Sequence, residues 1–96
     1  MNGYGITVDT RKAFTWFKRA ADAGKSDAQY ALGRCYMTGT GVDIDKCEAV
    51  KWFNRAAEAG DAKAQEGLGI CYKDGDGVAI DLEESKKWYA LSKVPR

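Results

Sequence analysis

The sequence predicts an all-α chain, a short antiparallel helical solenoid of about two and a half helix-turn-helix repeats with five helices. Three observations carry that prediction. First, the chain matches itself when shifted by 36 residues: Trp16, Trp52 and Trp88 fall in register, as do Phe17, Phe53 and Tyr89, and Asp9, Asp45 and Asp81. Gly3, Gly39 and Gly75 repeat in the same way, as do Gly5, Gly41 and Gly77. A fixed period of this size marks stacked supersecondary units. Second, apolar residues within each unit recur at i, i+3, i+4 and i+7, which places them on one side of an α-helix. Third, the runs open on Asp or Ser, whose side chains accept from free amides, and all but the last close on Gly, which tolerates a left-handed cap.

The chain opens inside a unit. Residues 3–8, Gly-Tyr-Gly-Ile-Thr-Val, repeat the turn that later reads Gly39-Thr-Gly-Val-Asp-Ile44, so the first unit lacks its first helix. A helix is predicted from Asp9 to Ala23, with Ala13, Trp16, Phe17, Ala20 and Ala21 inward, Lys12, Lys18, Arg19 and Asp22 in water, and Gly24 as its cap. The second helix runs from about Ser26 to Thr38 with Ala28, Ala31, Leu32, Cys35 and Tyr36 on one side. The third starts at Asp45, whose carboxylate can accept from the first turn while Glu48 reaches back to the cap's own amide, a capping box with Asp in place of Ser. Its stripe is Ala49, Trp52, Phe53, Ala56 and Ala57, and Gly60 ends it. The fourth, from Asp61 to about Asp74, turns Ala64, Leu68, Cys71 and Tyr72 inward. The last begins at Asp81 with Glu84 at the boxed position, carries Trp88 and Tyr89, and weakens at Ser92-Lys93, where earlier units have Ala-Ala. The helices alternate as B, A, B, A, B, giving a half repeat over 1–26 and repeats over 27–62 and 63–96.

The small residues predict how the helices meet. Ala20-Ala21, Ala56-Ala57, Gly33 and Gly69 let neighbours approach closely, and an aromatic ring of one helix fills the space over the small residues of the next. The tryptophans, at helical spacing and in repeat register, read as packing residues and not as an aromatic ligand box.

Composition bounds the function. Fifteen Lys and Arg against fourteen Asp and Glu leave a net charge of +1, spread along the chain with no basic block, which argues against nucleic acid or an anionic membrane as main partner. No stretch has the length of an apolar membrane span, and Met1-Asn-Gly-Tyr-Gly lacks the regions of a signal peptide. Of the three cysteines, Cys35 and Cys71 fall in the apolar stripe and read as core residues, while Cys47 falls at an exposed position. An odd count without C-x-x-C or histidine gives no zinc site and no disulfide framework. These features leave the compartment open with a lean to the cytoplasm.

The pattern Ala28-x-x-x-Leu32-Gly33-x-x-Tyr36-x-x-Gly39-x-Gly41-Val42-x-x-Asp45-x-x-x-Ala49-x-x-Trp52-Phe53-x-x-Ala56-Ala57-x-x-Gly60 resembles the Sel-1-like repeat, a relative of the tetratricopeptide repeat. The resemblance covers nearly the whole chain. It implies a right-handed α-solenoid whose A helices line a concave groove, and a role as an adaptor holding other proteins. Cysteine-rich secreted members of that family place paired cysteines where this chain has Ala57 and Ala64-Gln65.

No catalytic set or cofactor site stands out. Without histidine the usual proton shuttle near neutral pH is absent, and pairs such as Asp81 with Glu84 read as helix caps. Gly39-Thr-Gly41 and Gly75-Asp-Gly77 lack the lysine, third glycine and preceding strand of a phosphate loop. Asp74-Gly-Asp76-Gly-Val-Ala lacks the ligands of a calcium loop beyond its first positions. What varies between repeats is one stripe of the A helices: Asp27, Tyr30, Arg34 and Met37 have as counterparts Lys63, Glu66, Ile70 and Lys73, and no pair keeps its chemistry. In a solenoid the scaffold repeats and the reading face varies. These eight residues are therefore the expected binding face of a noncatalytic module for a peptide or protein. The alternative is self-assembly through open ends, with apolar faces uncovered around Phe14, Trp16, Trp88 and Leu91. A hydrolase acting on a small cell-wall or β-lactam-like substrate, as suggested for some secreted relatives, stands third.

Overall fold

A computed structural model of the chain describes residues 9–94. The turn expected at residues 3–8 and the closing Pro95 lie outside them. Among the described residues the chain forms five helices: α1 (Thr10–Asp22), α2 (Ser26–Thr38), α3 (Lys46–Glu58), α4 (Ala62–Asp74) and α5 (Leu82–Ser92). Each packs chiefly on its neighbours in sequence, in a body of 46 × 26 × 22 Å.

Side chains of aspartate start four of these helices. Asp9 accepts from the amides of Arg11 and Lys12 at 3.1 and 3.2 Å, and Asp45, Asp61 and Asp81 each accept from the amide three residues on. The expected reciprocal half of the box does not form. The amides of Asp45 and Asp81 donate instead to the carbonyls of Tyr36 and Tyr72, both at 2.9 Å, closing the A-to-B turn. Glu48 and Glu84, left without that donor, sit beside Lys51 and Lys87 at 3.7 and 3.0 Å.

The B helices α1 and α3 end in a pair of crossed bonds around glycine, as the sequence implies. Gly60 donates to Ala57 and Asp61 to Ala56, both at 3.0 Å, with Gly60 at φ +96°, and Gly24 and Lys25 repeat the arrangement on Ala21 and Ala20. Asp61 thus closes α3 with its amide and starts α4 with its carboxylate. Buried Gln29 and Gln65 add a tie between repeats, donating from Nε2 to the carbonyls of Ala21 and Ala57 at 3.2 and 3.0 Å.

The core follows the large-against-small rule. A Cβ placed on Gly33 would lie 2.7 Å from the Phe53 ring, and one on Gly69 3.0 Å from the Tyr89 ring. Trp52 shares a cluster with Ala21, Ala28 and Leu32, while Trp88 shares one with Ala57, Ala64 and Leu68. Trp16 departs from the expected packing and is 67% exposed, because the residues that cover Trp52 come from the preceding B helix and its own A helix, and Trp16 has neither among the described residues. Trp88 corrects the expectation of uncovered ends in the other direction, since it is buried under α4. Phe14 is also partly covered, standing edge-on to Tyr36 at 5.5 Å, whereas Leu91 is exposed.

The thiols divide by burial: Cys35 and Cys71 are inside and Cys47 is exposed. Burial raises the Cys35 pKa, partly offset by Arg34, and pushes Cys71 up from 9.0 to about 11 with help from the charges of Asp76 and Asp74. A thiol whose folded pKa is raised favours folding fully below its unfolded pKa, and that contribution is lost as pH climbs through the folded one. In the native chain we expect Cys47 alone to react with a thiol reagent at mildly alkaline pH, and all three after unfolding. The unfolding midpoint is expected to fall as pH rises from 9.0 towards about 11, less steeply in Cys71→Ala. Rapid native modification of Cys71, read by mass spectrometry, would contradict this.

Candidate functional site

The two A helices form the walls of a cleft. Tyr30, Arg34, Met37 and Thr38 line it from α2, and Gly67, Ile70 and Cys71 from α4. Phe53 of α3 lies between them as the floor, Asp76 closes one edge, and the enclosed volume is about 240 Å³. A wider, shallower depression of about 560 Å³ lies beside it, lined in part by Asp27, Tyr30, Asp61 and Lys63. Tyr30 belongs to both.

The floor is nearly covered by its neighbours, with Phe53 only 4% exposed. Gly33 admits the Phe53 ring at close range, and Tyr30 leans on that ring with centroids 5.7 Å apart and planes at 35°. A Cβ on Gly67 would stand 4.0 Å from the ring, an ordinary contact, so glycine there leaves room in the cleft beside the ring without being demanded by the backbone. One repeat earlier a related cleft of about 300 Å³ has Phe17 as its floor and Ala31 in place of Gly67. Only α2 walls it.

Of the eight residues expected on the binding face, six line these two depressions: Asp27, Tyr30, Arg34, Met37, Lys63 and Ile70. Glu66 and Lys73 are exposed but line neither. Tyr30 and Met37 are half-buried against the core and present only part of their surface, whereas Arg34 and Ile70 stand out into solvent. The charge at the rim is mixed, with Asp76 held by Lys46 at 3.4 Å. Sequence reasoning missed Phe53, assigned wholly to the core, and Gly67. A signal for Gly67 existed, since glycine inside a helix costs about 1 kcal/mol relative to alanine and asks for a reason.

Among the described residues no three His, Cys, Asp or Glu side chains converge as a metal site, and no helix is long and apolar enough to cross a membrane. What the cleft offers is an aromatic floor, aliphatic and thioether walls and one guanidinium. That set can hold an apolar side chain and hydrogen-bond its neighbours.

The Sel1 repeat model matches the chain in three stretches, residues 1–25, 26–61 and 62–92. No curated protein matches it. Two solved structures are similar. One is a protective antigen present in uropathogenic Escherichia coli strains and displaying an SLR fold, 43% identical, with a TM-score of 0.88 over 96% of this chain and 20% of the antigen's. The other is a Sel1 repeat protein from Oxalobacter formigenes, 42% identical, with a TM-score of 0.86 over 94% of this chain and 37% of that protein's. The chain thus spans a fifth of the first and little more than a third of the second.

Proposed function

This chain belongs to the Sel1 repeat family, and we propose that it is a noncatalytic interaction module holding a peptide or protein segment in the cleft between α2 and α4. Sel1 repeats generally mediate protein–protein interactions. The observation that supports this reading is the cleft itself: its floor of Phe53 repeats with the scaffold, while Tyr30, Arg34, Met37 and Ile70 on its walls do not. The segment that fits would place one large apolar side chain over Phe53 and Gly67, between Met37 and Ile70, and turn a hydrogen-bond acceptor towards Arg34.

A displayed peptide library selected on the whole chain tests this directly. Selected peptides should bind Arg34→Glu, Ile70→Glu and Gly67→Leu at least about tenfold more weakly than the parent, since each change removes an anchor contact or fills the cleft. Arg34 is exposed, so Arg34→Glu should leave thermal unfolding close to that of the parent. A library that yields no binder, or binders indifferent to all three substitutions, would remove the groove as the site.

A further inference from the structure

The charges along the groove are not equally free to meet a partner. Two of them line the cleft itself, Arg34 and Asp76, and Lys46 holds Asp76 at 3.4 Å. Arg34 is exposed and enters no ion pair among the described residues. Its guanidinium is the charge that the cleft leaves unanswered.

The wider depression beside the cleft repeats this division. Its charged residues are Asp27, Asp61 and Lys63, and Tyr30 joins it to the cleft. Asp27 accepts from the Ala28 amide at 2.8 Å and Asp61 from the Ala64 amide at 3.0 Å, so both carboxylates stand against the positive ends of α2 and α4. Lys63 is exposed and, like Arg34, enters no ion pair among the described residues. The acids that line the two depressions are held by the scaffold, and the two cations are not.

Glu66 narrows the ligand further. It is exposed on α4 between Lys63 and Ile70, without an ion pair among the described residues, and would repel a carboxylate passing at that height. Exposed Lys73 lies one turn beyond Ile70 on the opposite side and favours an acid there. Spacing then fixes the separation of the ligand's charges, because Lys63 lies about two turns, or about 10 Å, before Ile70. An extended peptide covers that distance in about three residues.

We propose that the groove selects an acidic peptide segment. Its large apolar side chain sits between Met37 and Ile70, with one carboxylate directly beside it for Arg34, on the side away from Glu66. A second carboxylate meets Lys63 three residues off in the other direction, and the residues between are uncharged. The proposal rests on the cleft being the binding site, and adds the chemistry that the site selects.

The probes are labelled, end-blocked peptides titrated with the whole chain by fluorescence anisotropy: Gly-Glu-Ala-Ala-Phe-Glu-Gly, its reversed sequence, and both with Gln for each Glu. In one chain direction the acidic peptide should bind at least about fivefold more tightly than its Gln form, and lose that margin between about 50 and 500 mM salt. Lys63→Gln should weaken only peptides that keep the Glu three residues from Phe, and Arg34→Gln only those that keep the Glu beside it. A merely structural role for either cation would not follow the peptide's charges. Lys86→Gln, exposed on α5 and outside the groove, should change nothing. Equal affinities of the Glu and Gln peptides would overturn the acidic class, while their common loss in Ile70→Glu would keep the cleft as the site. If no probe binds at millimolar concentration, the displayed library decides. Binders without an excess of Asp and Glu overturn this proposal alone, and no binder at all removes the groove and this proposal together.

Discussion

Trp52→Ala is expected to lower the unfolding free energy by about 3–5 kcal/mol. The indole is 5% exposed and shares its cluster with Ala21 of α1 and with Ala28 and Leu32 of α2. It therefore joins α1 to the α2–α3 pair. Stability in a solenoid is close to a sum over units and their nearest-neighbour interfaces, so emptying this joint should uncouple α1 before the rest. Urea titration should show the lower midpoint, and amide exchange should show α1 opening ahead of α3 and α4. Trp52→Phe separates volume from polarity. The indole N–H is buried with no hydrogen-bond partner among the described residues, so a phenyl ring loses some contact but also removes an uncompensated donor. The Arg55 guanidinium 4.5 Å from the ring centroid keeps an aromatic face beneath it in either case. We expect Trp52→Phe to cost less than about 1.5 kcal/mol. A loss near 1 kcal/mol for Trp52→Ala would mean that the joint is made elsewhere.

The period made the scaffold legible. Once Trp52 is aligned with Trp88, and Gly33 with Gly69, the helices, their glycine ends and the close approach of ring to glycine follow from spacing and volume alone. What the period cannot show is where it stops. Trp16 carries the same letter as Trp52, and its letter alone reads as core, but burial of that ring depends on an Ala from the preceding B helix and on Ala and Leu from its own A helix. The capping box failed for a related reason. Whether Glu48 reaches the Asp45 amide depends on whether that amide is free, and the carbonyl of Tyr36, nine residues earlier, takes it first. The groove was half legible. Register differences between α2 and α4 picked out Tyr30, Arg34, Met37 and Ile70, which do share a cleft. Glu66 and Lys73 passed the same filter and lie off it, because variation marks exposure as readily as it marks a wall. The floor was invisible to that filter, since Phe53 is repeated as Phe17 and so counts as scaffold, although it also lines the cleft.

Gly77→Ala is expected to cost about 2–4 kcal/mol, from about 1–2 for left-handed backbone and the rest for displaced neighbours. Gly77 has φ +75°, and a Cβ there would run into the backbone carbonyl of Lys46 and come within 3.0 Å of Val50 Cγ2. Gly41 repeats the situation, at φ +75°, against the carbonyl of Thr10. The second glycine of each Gly-x-Gly turn is thus the point where one repeat rests on the start of the preceding B helix. The Lys46–Asp76 pair at 3.4 Å spans the same seam. Gly24→Ala is the control: its φ is +92° but nothing lies within 4 Å of the added carbon, so it should lose only the backbone portion. Denaturant midpoints of the two variants measure the difference, and equal losses would show that the turn needs only its dihedral. The same seam sets the groove. The turn bearing Gly77 anchors the end of α4 to the start of α3, and α4 carries Gly67 and Ile70 towards α2. Pushing that turn off Lys46 should move one wall of the cleft relative to Phe53, so Gly77→Ala should weaken a peptide held there although Gly77 is not among the residues that line it.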